Sequence, residues 1–331
     1  MLSAARRRSK VLAFAACATV ATAATWAPGA LAAGYPERPI AMLIPAGVGG
    51  TNDAVGRIVA QKLGEVLEGT VVVENRAGAG GNIGTTAAAK AQPDGYTLVM
   101  NISSAMAINP ALYKSPGFDP VKDFTPISLV GSVPNVLVVS PSFPAKSLKE
   151  LIDMAKAKPK AYQFGSAGNG TLPHLMGEML NSYAGIELQH IPYRAIAPAL
   201  TDVIGGEISM AFATPAAVIQ HIKSNRLVPL GVSSAGRTPS LPDVPPIGEV
   251  LPGFGGTLWI ALFAPKGVPP EVDQKLQAAA KQVLESPDVR EKLTAQGVEI
   301  ANGSPQQLAD LLKEDLARWE KIVKQSGAKV D

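Results

Sequence analysis

Short apolar runs alternate with one-sided helical patterns along most of this chain. The runs over residues 40–44, 71–74, 96–100, 162–164, 187–191, 208–212, 228–233 and 258–264 have the length and composition of buried strands. Between them apolar residues recur at helical spacing, as at Val55, Ile58, Val59 and Leu63. This alternation is typical of βα units. It predicts an α/β fold in which mostly parallel sheets are flanked by helices.

Capping residues predict where several helices begin. Ser147, with Glu150 three residues further on, predicts an N-cap with a reciprocal partner. Ser304 followed by Pro305 predicts the start of the last helix, over residues 304–324. Pro287 predicts a break in the helical pattern of residues 270–296. The Pro-rich stretch 239–252 has no periodic pattern and is predicted to be irregular surface or a hinge.

Three strand-like runs lead into glycine-rich loops that are followed by helical patterns. These loops cover residues 45–53, 75–84 and 165–171. Loops of this kind expose backbone N–H groups, and the positive end of the following helix dipole favours negative charge. The chain is therefore predicted to bind an anion rather than to carry out a reaction.

The length of the chain predicts two lobes. About 300 residues exceed what a single core usually covers. Long apolar runs at residues 134–140 and 258–265 bracket a middle block and are natural crossovers. We expect one lobe from residues 33–137 plus 258–331 and a second from 138–257, with the glycine loops facing a common cleft. Two separately packed domains without a cleft are the alternative.

The N-terminus has the layout of a secretory signal. A basic segment that includes Arg6, Arg7 and Arg8 precedes an apolar stretch and the small residues before Ala33. We expect residues 1–32 to be cleaved after Ala32 and the protein to be periplasmic. Alternatives are a membrane anchor, for which the apolar stretch is short of ~20 residues, a twin-arginine signal, or a lipoprotein acceptor at Cys17.

The cysteine content and the charge of the chain argue against several kinds of site and partner. Cys17 is the single cysteine, so the exported chain can form neither an internal disulfide nor a thiolate site. The formal charge of +3 includes four cations of the leader, and without them 26 Lys and Arg face 27 Asp and Glu. This balance argues against nucleic acid or an anionic membrane as a partner.

No motif predicts a metal or a cofactor. His174, His190 and His221 are far apart in the chain and not at helical ligand spacing. Residues 165–168 lack the spacing of a nucleophile elbow, and in residues 78–83 Ile83 takes the place of the third glycine of a dinucleotide loop. We therefore expect no cofactor.

A few residues could still carry chemistry. His174 is the best general-base candidate, but a loop hydrogen bond is favoured because no activated partner is marked. Asp53 lies at a helix start, where an acid caps the helix, and it is kept as a possible ligand contact. Arg57 could neutralise it or lie on an exposed face. Four hydroxyls near strand ends could contact a ligand or satisfy local turns: Ser103, Ser104, Ser166 and Thr171.

Many ordered motifs resemble one family. The chain is similar, over essentially its whole length after the leader, to the periplasmic solute-binding proteins of tripartite tricarboxylate transporters, the TctC-like or Bug family. The matching stretches are residues 35–40, 45–53 with Arg57, 74–84, 93–98, 108–113, 165–170 with His174 and Leu175, Arg237 with 241–245, Trp259, and 264–269.

The resemblance implies a two-lobed, type II-like Venus flytrap fold with crossover strands. It also implies a small carboxylate ligand, delivery to a permease with a large and a small subunit, no catalysis, and a monomer. Carried over by position, it places ligand contacts at Val48, Gly49, Gly50, Thr51, Asp53, Gly80, Gly81, Asn82, Ser103, Ser104, Ser166, Gly168, Asn169, Gly170, Thr171, His174, Tyr193, Ala213 and Thr214.

Departures from the family pattern suggest the kind of ligand. The usual Tyr-Lys-Gly is replaced by Tyr193, Arg194 and Ala195, Met106 stands where His is frequent, and Ala261 replaces a glycine. These changes predict a mono- or dicarboxylate with an apolar or aromatic body. Two other functions stay open: a ligand-presenting sensor for a membrane histidine kinase, and a periplasmic hydrolase that uses Ser166 and His174.

Overall fold

The computed structural model describes residues 34–326 and residue 328, so the predicted signal peptide lies outside the described residues. The strands are β1 (Ile40–Ile44), β2 (Val71–Asn75), β3 (Thr97–Ile102), β4 (Phe124–Val133), β5 (Val136–Val139), β6 (Gln163–Ser166), β7 (Gln189–Pro192), β8 (Met210–Ala213), β9 (Val228–Val232), β10 (Leu258–Pro265) and β11 (Glu299–Gly303). The helices are α1 (Thr51–Val66), α2 (Asn82–Ala89), α3 (Asn109–Leu112), α4 (Leu148–Ala157), α5 (Leu172–Ala184), α6 (Ile196–Gly205), α7 (Pro215–Lys223), α8 (Pro270–Glu285), α9 (Pro287–Ala295) and α10 (Pro305–Ser326). A π-helical turn, Ser104–Ile108, leads into α3.

The strands form two sheets flanked by helices, as predicted. The first has six strands in the order β11-β4-β10-β3-β1-β2, and the second has five in the order β7-β6-β8-β5-β9. Both sheets are mixed rather than mostly parallel. β1 is parallel to β2 and β3, and β6 is parallel to β7 and β8, whereas β5 and β10 are antiparallel to their neighbours. The reason is that the chain crosses between the sheets after β4 and again between β9 and β10, and we call this region the crossing. The parallel strands end beside the crossing, whereas β5 and β10 begin there and run away from it.

Two strands were missed in the sequence. β4 contains Pro126 and Gly131, and β11 has no apolar alternation, so neither carries a clear period-2 signal. Both form because of long-range pairing: β4 lies between β10 and β11. The predicted break at Pro287 is confirmed, since α8 ends at Glu285 and α9 begins at Pro287.

The two capping predictions are confirmed with one correction. Ser147 Oγ accepts a hydrogen bond from Glu150 N at 3.2 Å. The Glu150 carboxylate, however, accepts from the backbone N of Lys146 at 2.7 Å, one residue earlier than the expected reciprocal partner. At α10 the capping box is complete, because Ser304 Oγ accepts from Gln307 N at 3.2 Å and Gln307 Oε1 accepts from Ser304 N at 2.8 Å.

Both faces of the central strands are buried, which explains their continuous apolar sequences. Met42 and Leu98 pack in a cluster under α1, α8 and α9, whereas the neighbouring residues Leu43 and Val99 pack in a cluster on the other face. The cluster that contains Leu43 continues into the second sheet and includes residues of α4, α5 and α10. Helix α10 therefore shares a core with both sheets.

Two connections cross between the sheets, and they are tied to each other. Asn135 lies in the short connection between β4 and β5, and Ser233 begins the return from β9 to β10. Asn135 N donates to Ser233 Oγ at 2.9 Å, and Ser233 N donates to Asn135 O at 2.8 Å. Ser233 Oγ also donates to the carbonyl of Gly256 at 2.6 Å. These bonds hold together the residues that join the lobes.

Candidate functional site

The carboxyl ends of the parallel strands in both sheets lie beside the crossing. In the first sheet, Ile102 at the end of β3 pairs with Ile260 near the start of β10. In the second, Ala213 at the end of β8 pairs with Val136 at the start of β5. The loops that follow β1–β3 and the loops that follow β6–β8 are therefore both at the end of their sheet that is beside the crossing. This is the location at which open α/β sheets bind ligands.

The loop after β1 is organised from within by Asp53. Its buried carboxylate accepts hydrogen bonds from Gly49 N at 2.8 Å and from Asn75 Nδ2 at 2.9 Å, and it pairs with Arg57 Nη2 at 3.0 Å. Burial acts to raise the pKa of Asp53, but the hydrogen bonds from Gly49, Arg57 and Asn75 outweigh it and leave the pKa below its ordinary value. Asp53 thus shapes the loop, and Arg57 neutralises its charge. The expected cap is not formed, because Gly50 is the N-cap of α1 and no side chain of the described residues caps the start of this helix.

The loop after β2 is a left-handed turn. Four successive residues, Gly78, Ala79, Gly80 and Gly81, have positive φ angles of 128°, 48°, 64° and 98°. A Cβ on Gly81 would lie 3.1 Å from the carbonyl oxygen of Pro45, so glycine lets this turn pack on the first loop. The two glycine loops of the first sheet are therefore one continuous surface.

Asn82 begins α2, and its side chain is already engaged. Asn109 Nδ2 donates to Asn82 Oδ1 at 2.6 Å and to the carbonyl of Gly80 at 3.0 Å. Asn82 is 6% exposed, so the side chain holds the turn in place rather than projecting from it.

The chain turns into a π-helical segment after β3. Ser103 is fully buried, and its Oγ donates to the carbonyl of Thr257 at 3.3 Å, which ties the end of β3 to the crossing. Ser104 is half-buried at the first position of the π-helical turn. Met106 is fully buried in the core. Met106 therefore gives no support to an apolar ligand pocket, contrary to the sequence-based argument.

Ser166 and the glycines after it form a closed hydrogen-bonded loop at the end of β6. The buried Ser166 hydroxyl lies 2.6 Å from His190 Nε2, accepts from Gly168 N at 3.0 Å, and lies 3.1 Å from the carbonyl of Gly168. Thr171 Oγ1 donates to the same carbonyl at 2.7 Å. Gly170 is buried and Asn169 is exposed at the tip.

His174 and His190 are far apart in the chain, but the fold brings them into contact. Their rings stack with centroids 4.0 Å apart, next to Phe164. His174 Nδ1 accepts from Gly170 N at 3.1 Å, so its loop-bonding role is confirmed. Burial lowers the pKa of each histidine to about 4, and for His190 the proximity of His174 adds to this effect. Both rings are thus neutral at physiological pH.

The predicted pairing of Ser166 with His174 is not formed, because the hydroxyl contacts His190. A buried serine whose neutral histidine partner has no carboxylate at bonding distance is a poor nucleophile. The acid near this pair is Glu178, whose Oε1 lies 3.8 Å from His174 Nε2. Burial raises the pKa of Glu178. The hydrogen bonds of Ser166 and His174 instead hold the loop of residues 166–171 in place.

Three predicted site residues follow β7 and β8. Tyr193 donates its hydroxyl to Asp202 Oδ2 at 2.6 Å, and burial followed by the Asp202 carboxylate raises its pKa to about 12. The hydroxyl of Tyr193 is therefore engaged within the second lobe. Ala213 is buried as the last residue of β8, and Thr214 is the half-buried N-cap position of α7.

The predicted residues thus fall into two groups. Those with accessible backbone or side chains at the loop tips are Val48, Gly49, Gly50, Thr51, Gly80, Ser104, Gly168, Asn169, Thr171 and Thr214. The residues of the second group are buried beneath the loop tips: Asp53, Gly81, Asn82, Ser103, Ser166, Gly170, His174 and Ala213. Tyr193 is half-buried, and its hydroxyl is hydrogen-bonded to Asp202.

Three supporting residues were missed in the sequence: Asn75, Asn109 and His190. Asn75 Nδ2 bridges Asp53 and the carbonyl of Ala46, at 2.9 and 3.1 Å. Its position directly after a strand was a usable signal. Asn109 and His190 contact residues 24 to 29 positions away, and no local pattern marks such contacts.

The described residues contain neither a membrane-spanning helix nor a group of metal-binding side chains. Within residues 34–326 and residue 328, no helix has the length and apolar character to cross a membrane. In the same part of the chain, no group of three or more His, Cys, Asp or Glu side chains could hold a metal ion.

Comparison with known proteins gives a consistent result. The model of the tripartite tricarboxylate transporter family receptor, TctC, matches residues 55–328. The chain is 37% identical to the protein BugT of Bordetella pertussis over 313 residues, which cover 94% of this chain and 96% of BugT.

Solved structures agree with this match. The periplasmic binding protein BugD has a TM-score of 0.73 and 36% identity, over 89% of this chain and 99% of its own. A Rhodopseudomonas palustris protein with adipate has a TM-score of 0.76 and 33% identity, over 89% of this chain and all of its own. MatC from the same organism, with bound malate, has a TM-score of 0.73 and 30% identity, over 87% of this chain and all of its own.

The fold is therefore the two-lobed α/β fold of periplasmic binding proteins. Its relatives include proteins with bound dicarboxylates. Together with the match of the family model to most of the sequence, these findings show that the chain belongs to the tripartite tricarboxylate transporter receptor family, TctC, whose members are periplasmic solute-binding proteins.

Proposed function

We propose that this chain is a periplasmic receptor that binds a small mono- or dicarboxylate between its two lobes and delivers it to the large and small permease subunits of a tripartite tricarboxylate-type transporter. One observation carries the proposal. Six helical segments begin just after the carboxyl ends of the parallel strands, beside the crossing: α1, α2, α5, α6, α7 and the π-helical turn at Ser104. Helix N-termini stabilise an anion through free N–H groups and the helix dipole.

The accessible loop tips are the proposed ligand contacts. Backbone N–H groups of residues 48–51 and Gly80, together with the hydroxyl of Ser104, would hold a carboxylate on the first lobe. Residues 168–171 and Thr214 would complete the site from the second lobe. Asp53, Asn82, Ser166 and His174 act from below by fixing these tips, as their internal hydrogen bonds support.

The lobes follow the two sheets. We propose residues 33–134 plus 258–331 as the first lobe and 135–257 as the second. The first division differs from the expected 137/138 because β5 (Val136–Val139) belongs to the second sheet. The protein is proposed to be a monomer without catalytic activity. Residues 1–32 are proposed to be its signal peptide, which N-terminal sequencing of the periplasmic form would test by a start at Ala33.

Calorimetry on the mature chain tests the ligand class. We expect at least one small mono- or dicarboxylic acid to bind with a Kd on the order of micromolar and to raise the melting temperature by mass action. The matched diamide of that acid, which lacks the negative charge, should not bind. The absence of binding by every acid, or equal binding of the amide, would refute the carboxylate assignment. Proton NMR of the mixture should show no product.

A further inference from the structure

Arg194 is a cation without a partner at the end of β7. It is exposed, and its guanidinium has no hydrogen bond or ion pair within residues 34–326 and residue 328. Two exposed arginines of the first lobe, in contrast, are paired: Arg38 with Asp94, at 2.8 Å, and Arg76 with Glu74, at 3.0 Å. An unpaired guanidinium has five donors in a fork that matches a carboxylate.

The backbone around Arg194 is held beside the end of β6. The preceding residue, Tyr193, donates its backbone N–H to the carbonyl of Ser166 at 3.1 Å and its hydroxyl to Asp202 at 2.6 Å. Tyr193 thus packs inward. The next residue, Ala195, is in an extended conformation with φ −158° as the N-cap of α6. The carbonyl oxygen of Tyr193 is 3.5 Å from the position that a Cβ on Gly168 would take, so the exposed Arg194 follows a backbone group beside the loop of residues 166–171.

Two large apolar side chains stand exposed on the first lobe. Val48, at the tip of the loop after β1, is 76% exposed, and Ile83, in the first turn of α2, is 57% exposed. The Ile83 side chain lies over Gly78, because a Cβ on Gly78 would be 2.5 Å from Ile83 Cδ1. Both residues therefore belong to the continuous surface formed by the two glycine loops.

The topology places these features at the ends of their sheets that are beside the crossing. β1 and β2 are the two strands of the first sheet farthest from β4 and β10, and β6 and β7 are the two strands of the second sheet farthest from β5 and β9. The loops after β1 and β2 in the first sheet thus correspond, in their order from the crossing, to the loops after β6 and β7 in the second sheet. Closure of the two lobes, which belongs to the proposed receptor function, would bring Arg194 toward the surface that carries Val48 and Ile83.

We propose that Arg194 binds the second carboxylate of a linear dicarboxylate whose apolar chain packs on Val48 and Ile83, while the first carboxylate lies on the glycine loops. This inference rests on the proposed receptor function and names its ligand class. Backbone N–H groups suffice for one carboxylate, but a second carboxylate that is removed from water needs a cation. Burying the methylenes against two exposed apolar side chains adds a hydrophobic contribution.

Calorimetric titration with a matched pair of acids tests the proposal. Adipate and hexanoate have the same chain length and differ in the second carboxylate. We expect wild type to bind adipate at least tenfold more tightly than hexanoate. Arg194→Gln should weaken adipate binding about tenfold and leave hexanoate binding within about twofold, since only adipate uses the guanidinium. Val48→Thr and Ile83→Thr should each weaken both acids about threefold.

Arg226→Gln is the control, because Arg226 is also exposed in the second lobe but lies after α7, at the end opposite to the cleft. It should change neither affinity, and unfolding curves should show that all variants are folded. Equal weakening of both acids by Arg194→Gln, equal wild-type affinity for the two acids, or binding of other carboxylates but of neither acid would each overturn this inference while leaving the receptor function intact. Failure of wild type to bind any carboxylate would overturn both.

Discussion

The indole Nε1–H of Trp259 donates a 2.7 Å hydrogen bond to Oδ2 of Asp315. Trp259 is in β10, which returns to the first sheet, and Asp315 is in α10, which shares a core with both sheets. Arg318 Nη1 donates to the other carboxylate oxygen at 2.9 Å and to the carbonyl of Gly255 at 3.4 Å. Asp315 is 2% exposed, and burial raises its pKa. The strand, the helix and the crossing connection are thus joined at one buried carboxylate.

Removal of this carboxylate should destabilise the whole chain. We expect Asp315→Ala to lower the free energy of unfolding by about 2–4 kcal/mol, because it leaves the Trp259 N–H buried without an acceptor and Arg318 without its partner. Urea unfolding followed by tryptophan fluorescence measures this. Glu314→Ala, at the neighbouring exposed position, is the control and should change the free energy by less than about 0.5 kcal/mol. Equal effects of the two substitutions would contradict the structural role of Asp315.

Asp53→Asn should loosen the first glycine loop. The amide keeps the size of the side chain but removes the charge that pairs with Arg57, and it cannot accept from Gly49, Asn75 and Arg57 as well as the carboxylate does. We expect a loss of about 1–3 kcal/mol in stability and about tenfold weaker carboxylate binding by calorimetry. Glu65→Gln, which removes an exposed ion pair with Lys62, should leave both quantities nearly unchanged. Unaltered affinity in Asp53→Asn would show that the loop does not depend on this carboxylate.

The stacked histidines predict acid sensitivity. The folded-state pKa of His174 and of His190 is about 4, below the ordinary value of 6.5. Between these values the unfolded chain takes up protons that the folded chain does not, so stability is full above pH 6.5 and falls as the pH drops toward 4. We expect a loss on the order of 2–3 kcal/mol over this window. Glu178, whose pKa burial raises, opposes the loss in part.

Thermal unfolding at a series of pH values checks this dependence. His174→Gln should reduce the loss of stability between pH 6.5 and pH 4.5, because one of the two titrating groups is removed. His221→Gln is the matched control, since His221 lies in the last turn of α7 outside the stacked pair. The same pH profile in all three proteins would rule out the histidine pair as the cause.

Gly84→Ala should disturb the packing of α2 on the first loop. A Cβ at this position would lie 2.6 Å from the carbonyl oxygen of Arg76 and 2.9 Å from Cα of Pro45, and both are backbone atoms that cannot rotate away. We expect about 1–3 kcal/mol of destabilisation by chemical unfolding. Gly236→Ala meets no heavy atom within 4 Å and should be neutral or slightly stabilising. If Gly84→Ala matched this control, the two loops would not be as closely packed as described.

Sequence reasoning located most elements but not their partners. It placed the start of α10 at Ser304 and the break at Pro287 because caps and prolines act within a few residues. It missed β4 and β11, which are strands because of pairing with distant segments. In the site it identified the loops and the loop-bonding role of His174, yet it misjudged Met106, which is buried in the core.

By itself the sequence determined the α/β class, the glycine loops, the helix caps and the family, because each depends on residue types at short and fixed spacing. Only the tertiary structure decided that His174 stacks on His190, that Asn75 and Asp53 share a hydrogen bond, and that Arg194 has no side-chain partner among the described residues. Those facts depend on which distant segments meet, and burial and charge pairing between them leave no periodic trace along the chain.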